Sequence, residues 1–273
     1  MSKQHKRMFF SVIEGKGGVG KSFISQLLYS VAMGPDGLGN VRMIDSDVNN
    51  SSMAQIYEHT QFAGIRDAND LEAVGTVGMA VKDLGDDVID AVVWDTMAGT
   101  EDIIREKVLP SLAARAKKAK VNIVVARPIT TSRYTQESAL EFAAWARTQG
   151  IATLFVRNLG QARAARYFAD WDANTDRNAF NPPIAEVILP DLGAWLSDEA
   201  TALGLSIEDV ALGRFDKLPE RGRQIATQKF PPTVQLAVAD WIELRRTEFE
   251  QAIDCAIATL SAAPTTKTKA RVD

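Results

Sequence analysis

The chain is poor in cysteine and histidine. Its 273 residues include one cysteine, Cys255, and two histidines, His5 and His59. One cysteine excludes an internal disulfide and any cysteine-rich zinc or iron–sulfur site within one chain, and it fits a reducing cytoplasm. Neither histidine has a motif around it. No apolar run approaches the roughly 18 residues needed to span a bilayer. The short run Met8–Ile13, after a basic start, ends in Glu14-Gly15-Lys16 with no small-residue cleavage site, so it reads as a first strand and not as a signal peptide. No excess of positive charge is present. The net charge is −4, which argues by bulk charge against a constitutive nucleic-acid binder and leaves room for a local basic patch. Repeats and linkers rich in proline, glycine or serine are also missing. With 46% hydrophobic and 24% charged residues, a disordered or fibrous chain is excluded.

What is present is an alternation. Strand candidates are Met8–Ile13, Val41–Ile44, Val88–Trp94, Val121–Ala126, Ala152–Val156 and Glu186–Leu189. Most are continuously apolar, as in strands buried on both faces. Helical segments lie between them, at Lys21–Met33, Thr100–Lys118 and Thr131–Thr148. This order predicts an α/β fold, a mainly parallel twisted sheet with helices on both faces. After Pro190 the pattern gives way to short helices and a long one from Thr233 to Leu260. In that helix Val234, Val238, Trp241, Phe249, Ile253 and Leu260 make an apolar stripe with one polar gap at Arg245. Acidic residues interleave with its arginines, so the stripe is expected to pack on the domain or a partner and not on a lipid surface. The expected organisation is one domain over residues 1–261, with a core at about 8–191, a helical part at about 192–261, and a flexible tail at 262–273.

The sharpest signal is Gly15-Lys16-Gly17-Gly18-Val19-Gly20-Lys21-Ser22. It satisfies G-x-x-x-x-G-K-[ST] after a strand and at the start of a helix, the context that makes it a phosphate-binding P-loop. Its glycines let backbone N–H groups turn towards phosphate oxygens, and the helix N-terminus adds its dipole. Lys21 is expected at the β- and γ-phosphates and the Ser22 hydroxyl on Mg²⁺. Two further strands end in carboxylates. Val41–Ile44 leads into Asp45-Ser46-Asp47, and the strand through Val92-Val93-Trp94 leads into Asp95. Carboxylates at the C-terminal ends of parallel strands lie on the ligand-binding edge of such a sheet. Asp95 is a candidate ligand of the metal shell with Ser22; of Asp45 and Asp47, one could join that shell and the other orient an attacking water. Each could also be an ordinary turn residue.

Lys16, a second lysine inside the loop, carries a resemblance. Lys16-Gly17-Gly18-Val19-Gly20-Lys21-Ser22 resembles the deviant Walker A motif of the ParA/MinD group of P-loop ATPases, and the likeness extends over about residues 8–191. It implies a P-loop NTPase fold with ATP and Mg²⁺ as cofactors. It also implies an ATP-dependent homodimer in which Lys16 reaches the partner's phosphates, so that Lys16, Lys21 and Asp47 are the expected catalytic residues. Asp45-Ser46-Asp47 is similar to the family's first switch segment, with Val48 and Asn49 in place of its proline and glutamine. Asp95-Thr96-Met97-Ala98-Gly99 is similar to the second, with Met97 in place of proline. Asn158, after Phe155-Val156-Arg157, matches the family's base-contacting asparagine, and Pro190 and Asp191 match the segment lining the base. The nucleotide-binding set is thus Gly15 to Ser22, Phe23, Asn158, Pro190 and Asp191.

The implied activity is weak, partner-stimulated ATP hydrolysis in a dimeric switch. Its cargo is expected in plasmid or DNA partitioning or conjugative transfer, because the wording around the loop also resembles the TraL-type branch. Two stretches could touch non-specific DNA. Arg105 to Lys120 carries six basic residues against one acidic, and Arg214 to Lys229 five against two. Both could equally be solvated helix ends and loops. Alternatives are an ATP-dependent small-molecule ligase similar to dethiobiotin synthetase, or an ATP-binding protein with little hydrolysis, suggested by Phe23, Val48 and Met97. A nitrogenase iron protein-like reductase would need two cysteines per chain, and a bacterial tyrosine kinase a tyrosine-rich tail. Neither is present. The stimulating partner protein is not named by any motif, and no membrane insertion is expected.

Overall fold

The computed structural model describes residues 7–34, 39–47, 51–65, 70–161, 168–180 and 183–262. Seven strands form one sheet in the order β3-β2-β4-β1-β5-β6-β7. They are β1 (Met8–Val12), β2 (Val41–Asp45), β3 (Gln61–Phe62), β4 (Ala91–Asp95), β5 (Asn122–Ile129), β6 (Ala152–Asn158) and β7 (Ala185–Leu189). Every pairing is parallel. From β1 the chain builds β2, β3 and β4 on one side, then β5, β6 and β7 on the other. The loop after β1 therefore sits where the winding reverses, the place at which such sheets open a crevice.

Side-chain alternation assigns the two faces. Met8, Phe10 and Val12 enter one core with helices α1 (Lys21–Met33) and α12 (Pro232–Ala262). Phe9 and Ile13 enter the other, with α3 (Leu71–Gly85), α5 (Leu109–Ala119) and α6 (Arg133–Gln149). All five residues of β1 are buried, which is why its sequence runs apolar without alternating. The expected mainly parallel sheet with helices on both faces is what the chain forms.

Three local expectations change. The strand expected from Val88 starts at Ala91, because Asp87 adopts a positive φ and Val88 lies on the surface. The expected helix Thr100–Lys118 forms, but its hydrogen-bond register changes on the way. A short α4 (Glu101–Ile103) passes into a π-helical turn over Ile104–Val108 before α5. Pro110 at the start of α5 has no N–H to donate one turn back and its ring crowds that carbonyl, so the ladder cannot run through unchanged. Helix α3 and the two-residue β3 carry no strong sequence signal and emerge only in the fold.

The long C-terminal helix packs on the sheet. Val238, Ile242, Phe249 and Ile253 are buried in the core shared with β1 and α1, and Val234, Trp241 and Leu260 pack at its margin. Arg245 is no gap in this stripe. It is buried, its guanidinium lies 5.9 Å from the Trp241 ring centre, and it bonds Glu248 and the Ile188 carbonyl. Helices α9 (Ala194–Ala202), α10 (Ile207–Ala211) and α11 (Glu220–Lys229) complete this face. Gln26 of α1 ties them to the core by accepting from the Ile207 N–H at 3.2 Å. No helix among the described residues is long and apolar enough to cross a membrane. Residues 48–50 and 263–273, including Val48, Asn49 and nearly all of the expected tail, lie outside the described residues.

Candidate functional site

The loop Gly15–Gly20 links the buried β1 to α1, whose first residue is Lys21. Gly20 has φ +91°, and a Cβ there would stand 2.5 Å from Asn158 Nδ2. Only glycine satisfies both conditions. Lys21 is buried and its Nζ donates to the Lys16 carbonyl at 3.3 Å. Burial pulls its pKa below the ordinary lysine value, against the opposing charges of Asp95, Glu14 and Asp47. Lys16 points the other way. It is exposed, with no ion pair among the described residues.

Register brings two of the strand-end carboxylates side by side, since Asp45 of β2 pairs with Asp95 of β4. Their surroundings differ. Asp95 accepts hydrogen bonds from Ser22 and, at 3.1 Å, from Ser25. Burial pushes its carboxyl up to about 7, the hydroxyl bonds opposing and Asp45 adding to the rise. A divalent cation beside Asp95 and Ser22 would add opposite charge to that of Lys21, so these two fit a Mg²⁺ shell. Asp45 is already engaged. Its Oδ1 accepts from the Asp47 N–H at 2.9 Å and its Oδ2 from the Met53 and Ala54 N–H groups at 3.1 and 3.4 Å. It thereby fixes the turn carrying Asp47 and the start of α2 (Ser52–Ile56). No cluster of three metal-ligating side chains occurs among the described residues.

A cleft of about 690 Å³ opens over the loop, lined by Gly17, Gly18, Gly20, Lys21, Ser22, Asp47 and Asp95. A smaller hollow of about 140 Å³ adjoins it, lined by Gly20, Phe23, Asn158, Pro190 and Asp191. The structure thus collects most of the sequence-derived residues around one cleft and one neighbouring crevice, while Lys16 and Asp45 line neither. Val19 is buried, and Gly15 lines a separate hollow with Gly99, Glu101 and Tyr134. Asn158 is tied to backbone at both ends of its amide. Its Nδ2 donates to the Val19 carbonyl at 2.9 Å and its Oδ1 accepts from the Gly160 N–H at 3.0 Å. Asp191 Oδ1 likewise accepts from the Gly193 N–H at 2.8 Å.

The fold is a seven-stranded parallel sheet with helices on both faces and a glycine-rich loop between β1 and α1. Neither a family model nor a curated protein matches the chain. Among solved structures it is similar to the MinD cell division protein of Aquifex aeolicus, with TM-score 0.44, 15% identity, and 86% of this chain and 95% of that one covered. It is also similar to a nucleotide-binding protein of Archaeoglobus fulgidus in complex with ADP, at TM-score 0.38, 16% identity, and 72% and 87% coverage. A third is the signal recognition particle 54 kDa protein of Aeropyrum pernix in complex with GDP, at TM-score 0.41, 19% identity, and 85% and 59% coverage. These likenesses are remote, and the reading of the site rests on this chain's own residues.

Two groups of residues have no forewarning in the motifs. Ser197, Asp198 and Thr201 of α9 line the phosphate cleft, carried there by the packing of the C-terminal helices. Nothing in their spacing marks them. The second group is Glu14, Glu101 and Arg127, three charged residues with side chains at most 8% exposed. Arg127 does carry a signal, for it directly follows the apolar run Val121–Ala126. A charge inside a buried strand needs a partner.

Proposed function

We propose that the chain binds ATP with Mg²⁺ and acts as a slowly hydrolysing dimeric switch of ParA/MinD type. The observation that carries this reading is the opposed pair of lysines on one loop. Lys21 is turned inward beside Asp95, and Lys16 stands exposed on the outside. The inner lysine suits phosphates held by its own subunit, and the outer one suits phosphates held by a second copy. Ser22 and Asp95 hold the metal in this reading, Asp47 orients the attacking water, and Asp45 acts by positioning Asp47. The cargo belongs to plasmid or DNA partitioning or conjugative transfer. The packing of Phe23 against Trp241, ring centres 5.8 Å apart, puts an apolar residue directly after Ser22 and supports a hydrolysis rate at the low end.

The test is nucleotide binding and mass in solution. With ATP and Mg²⁺ the parent protein is expected to bind and to double its mass. Lys21→Ala should lose ATP binding, and Lys16→Ala should keep binding and lose both dimer and turnover. A Lys21→Ala variant that binds ATP as the parent does would end this reading.

A further inference from the structure

Glu14 at the end of β1, Glu101 at the start of α4 and Arg127 in β5 meet in the interior, beneath the phosphate loop. Arg127 Nη2 donates to Glu14 Oε2 at 2.9 Å and to Ser138 Oγ at 2.8 Å, and Nη1 stands 3.0 Å from Glu101 Oε1. The guanidinium carbon lies 4.7 Å from the Phe142 ring centre, which closes one side of it. The far oxygens of both carboxylates turn to the loop backbone. Glu101 Oε2 accepts from the Gly15 N–H at 2.9 Å and Glu14 Oε1 from the Lys16 N–H at 3.3 Å. The Gly15 carbonyl accepts from the Gly99 N–H at 2.9 Å. A Cβ at Gly15 would come within 3.1 Å of Glu101 Oε2, so a side chain there would press on this carboxylate.

Two carboxylates sharing one guanidinium make a costly core. Buried ion clusters of this kind are often replaced by apolar residues without loss of stability. Arg127 Nε has no hydrogen-bond partner among the described residues, so the cluster is not optimised for stability. Its geometric result is specific. Glu101, in the segment that follows Gly99, holds the Gly15 amide, and Glu14 holds the Lys16 amide.

We propose that Arg127 is a positioning residue of the phosphate loop. Through Glu14 and Glu101 it sets the backbone at Gly15 and Lys16, and so the direction in which Lys16 leaves the surface. It also couples that backbone to the chain after Asp95. The functional meaning rests on the proposed role of Lys16; the backbone claim does not.

The experiment is amide hydrogen exchange without nucleotide, which separates this proposal from the ATP reading. Arg127→Met alone strands two buried carboxylates and risks unfolding, so the decisive protein is the uncharged triple variant Glu14→Gln, Glu101→Gln, Arg127→Met. Its melting temperature is expected close to the parent's. The Gly15 and Lys16 amides should exchange at least about tenfold faster, while the β4 and β6 amides stay at parent rates. Unchanged exchange at Gly15 and Lys16 overturns the proposal. So does acceleration spread evenly over β4 and β6, which would make the cluster a stabilising element and nothing more.

Discussion

Asn158 Nδ2 donates to the carbonyl of Val19 at 2.9 Å, tying the end of β6 to the phosphate loop 139 positions earlier in the chain. With its Oδ1 on the Gly160 N–H, each end of the amide makes one backbone hydrogen bond. In this conformation the residue expected at a base edge is a latch on the loop.

The latch predicts that Asn158→Ala weakens nucleotide binding without changing base preference. Losing a buried hydrogen bond costs about 1–3 kcal/mol, so ATP and GTP affinities should both fall roughly five- to a hundredfold. Titration of each nucleotide against parent and variant checks this. A fall for ATP alone would assign Asn158 to base reading instead.

Gly20→Ala should be harsher. The new methyl meets Asn158 Nδ2 at 2.5 Å in a backbone with φ +91°. Nucleotide binding is expected to be lost while circular dichroism keeps the α/β signature, because the clash is confined to the loop.

Asp95 gives a pH-dependent expectation for metal-free protein. Its folded pKa, about 7, lies above the ordinary 3.8, so the folded state binds the proton more tightly than the unfolded state. Stability from this group is therefore full at low pH and is lost as pH rises from about 4 to about 7. Asp95→Asn should flatten that slope and raise the melting point in EDTA at pH 8 by a few degrees, on the order of 3 °C or more. The same variant should lose the effect of Mg²⁺ on nucleotide affinity. A metal-free melting point below the parent's would contradict the burial argument.

Helix α12 should behave as core. Phe249 is fully buried between the helix and the sheet. Phe249→Ala is expected to cost about 3–5 kcal/mol in denaturant unfolding. A cost under about 1 kcal/mol would mean that the helix is only loosely docked.

DNA binding, the expected cargo contact, has a geometric consequence. Of the two basic stretches, Arg105 to Lys120 lies with α5 on the α3/α6 face, and Arg214 to Lys229 with α11 on the α1/α12 face. Lys217 and Lys229 are already paired, with Asp209 and Glu199. Lys117 and Lys118, exposed at the end of α5, are the better phosphate contacts. Lys117→Glu with Lys118→Glu should weaken an ATP-dependent gel shift and reduce its salt slope by about two. An unaltered shift would move the contact elsewhere, and no shift in the parent would remove DNA from the proposal.

Much of the candidate site is legible in the residues alone, for a physical reason. A phosphate loop needs glycines at fixed offsets, a lysine and a hydroxyl, and its strand must be apolar to be buried. These are local demands, so they appear as a local word from Gly15 to Ser22. The strand ends Asp45 and Asp95 are legible because burial makes the strands before them apolar. Helix α3 was not, because Gly75 and Gly78 dilute its helical preference and only packing on the sheet holds it.

By itself the sequence determined the alternation of strands and helices, the loop that follows β1, and the chemistry that loop can hold. Tertiary structure alone decided which distant groups serve it. Parallel register set Asp45 beside Asp95, β6 delivered Asn158 to Val19, α9 placed Ser197 and Asp198 over the cleft, and β5 carried Arg127 beneath Gly15 and Lys16. Those pairings join residues far apart in the chain, through side chains whose partners are chosen by sheet order and by the need of every buried charge for an opposite one. No short stretch of sequence encodes that choice.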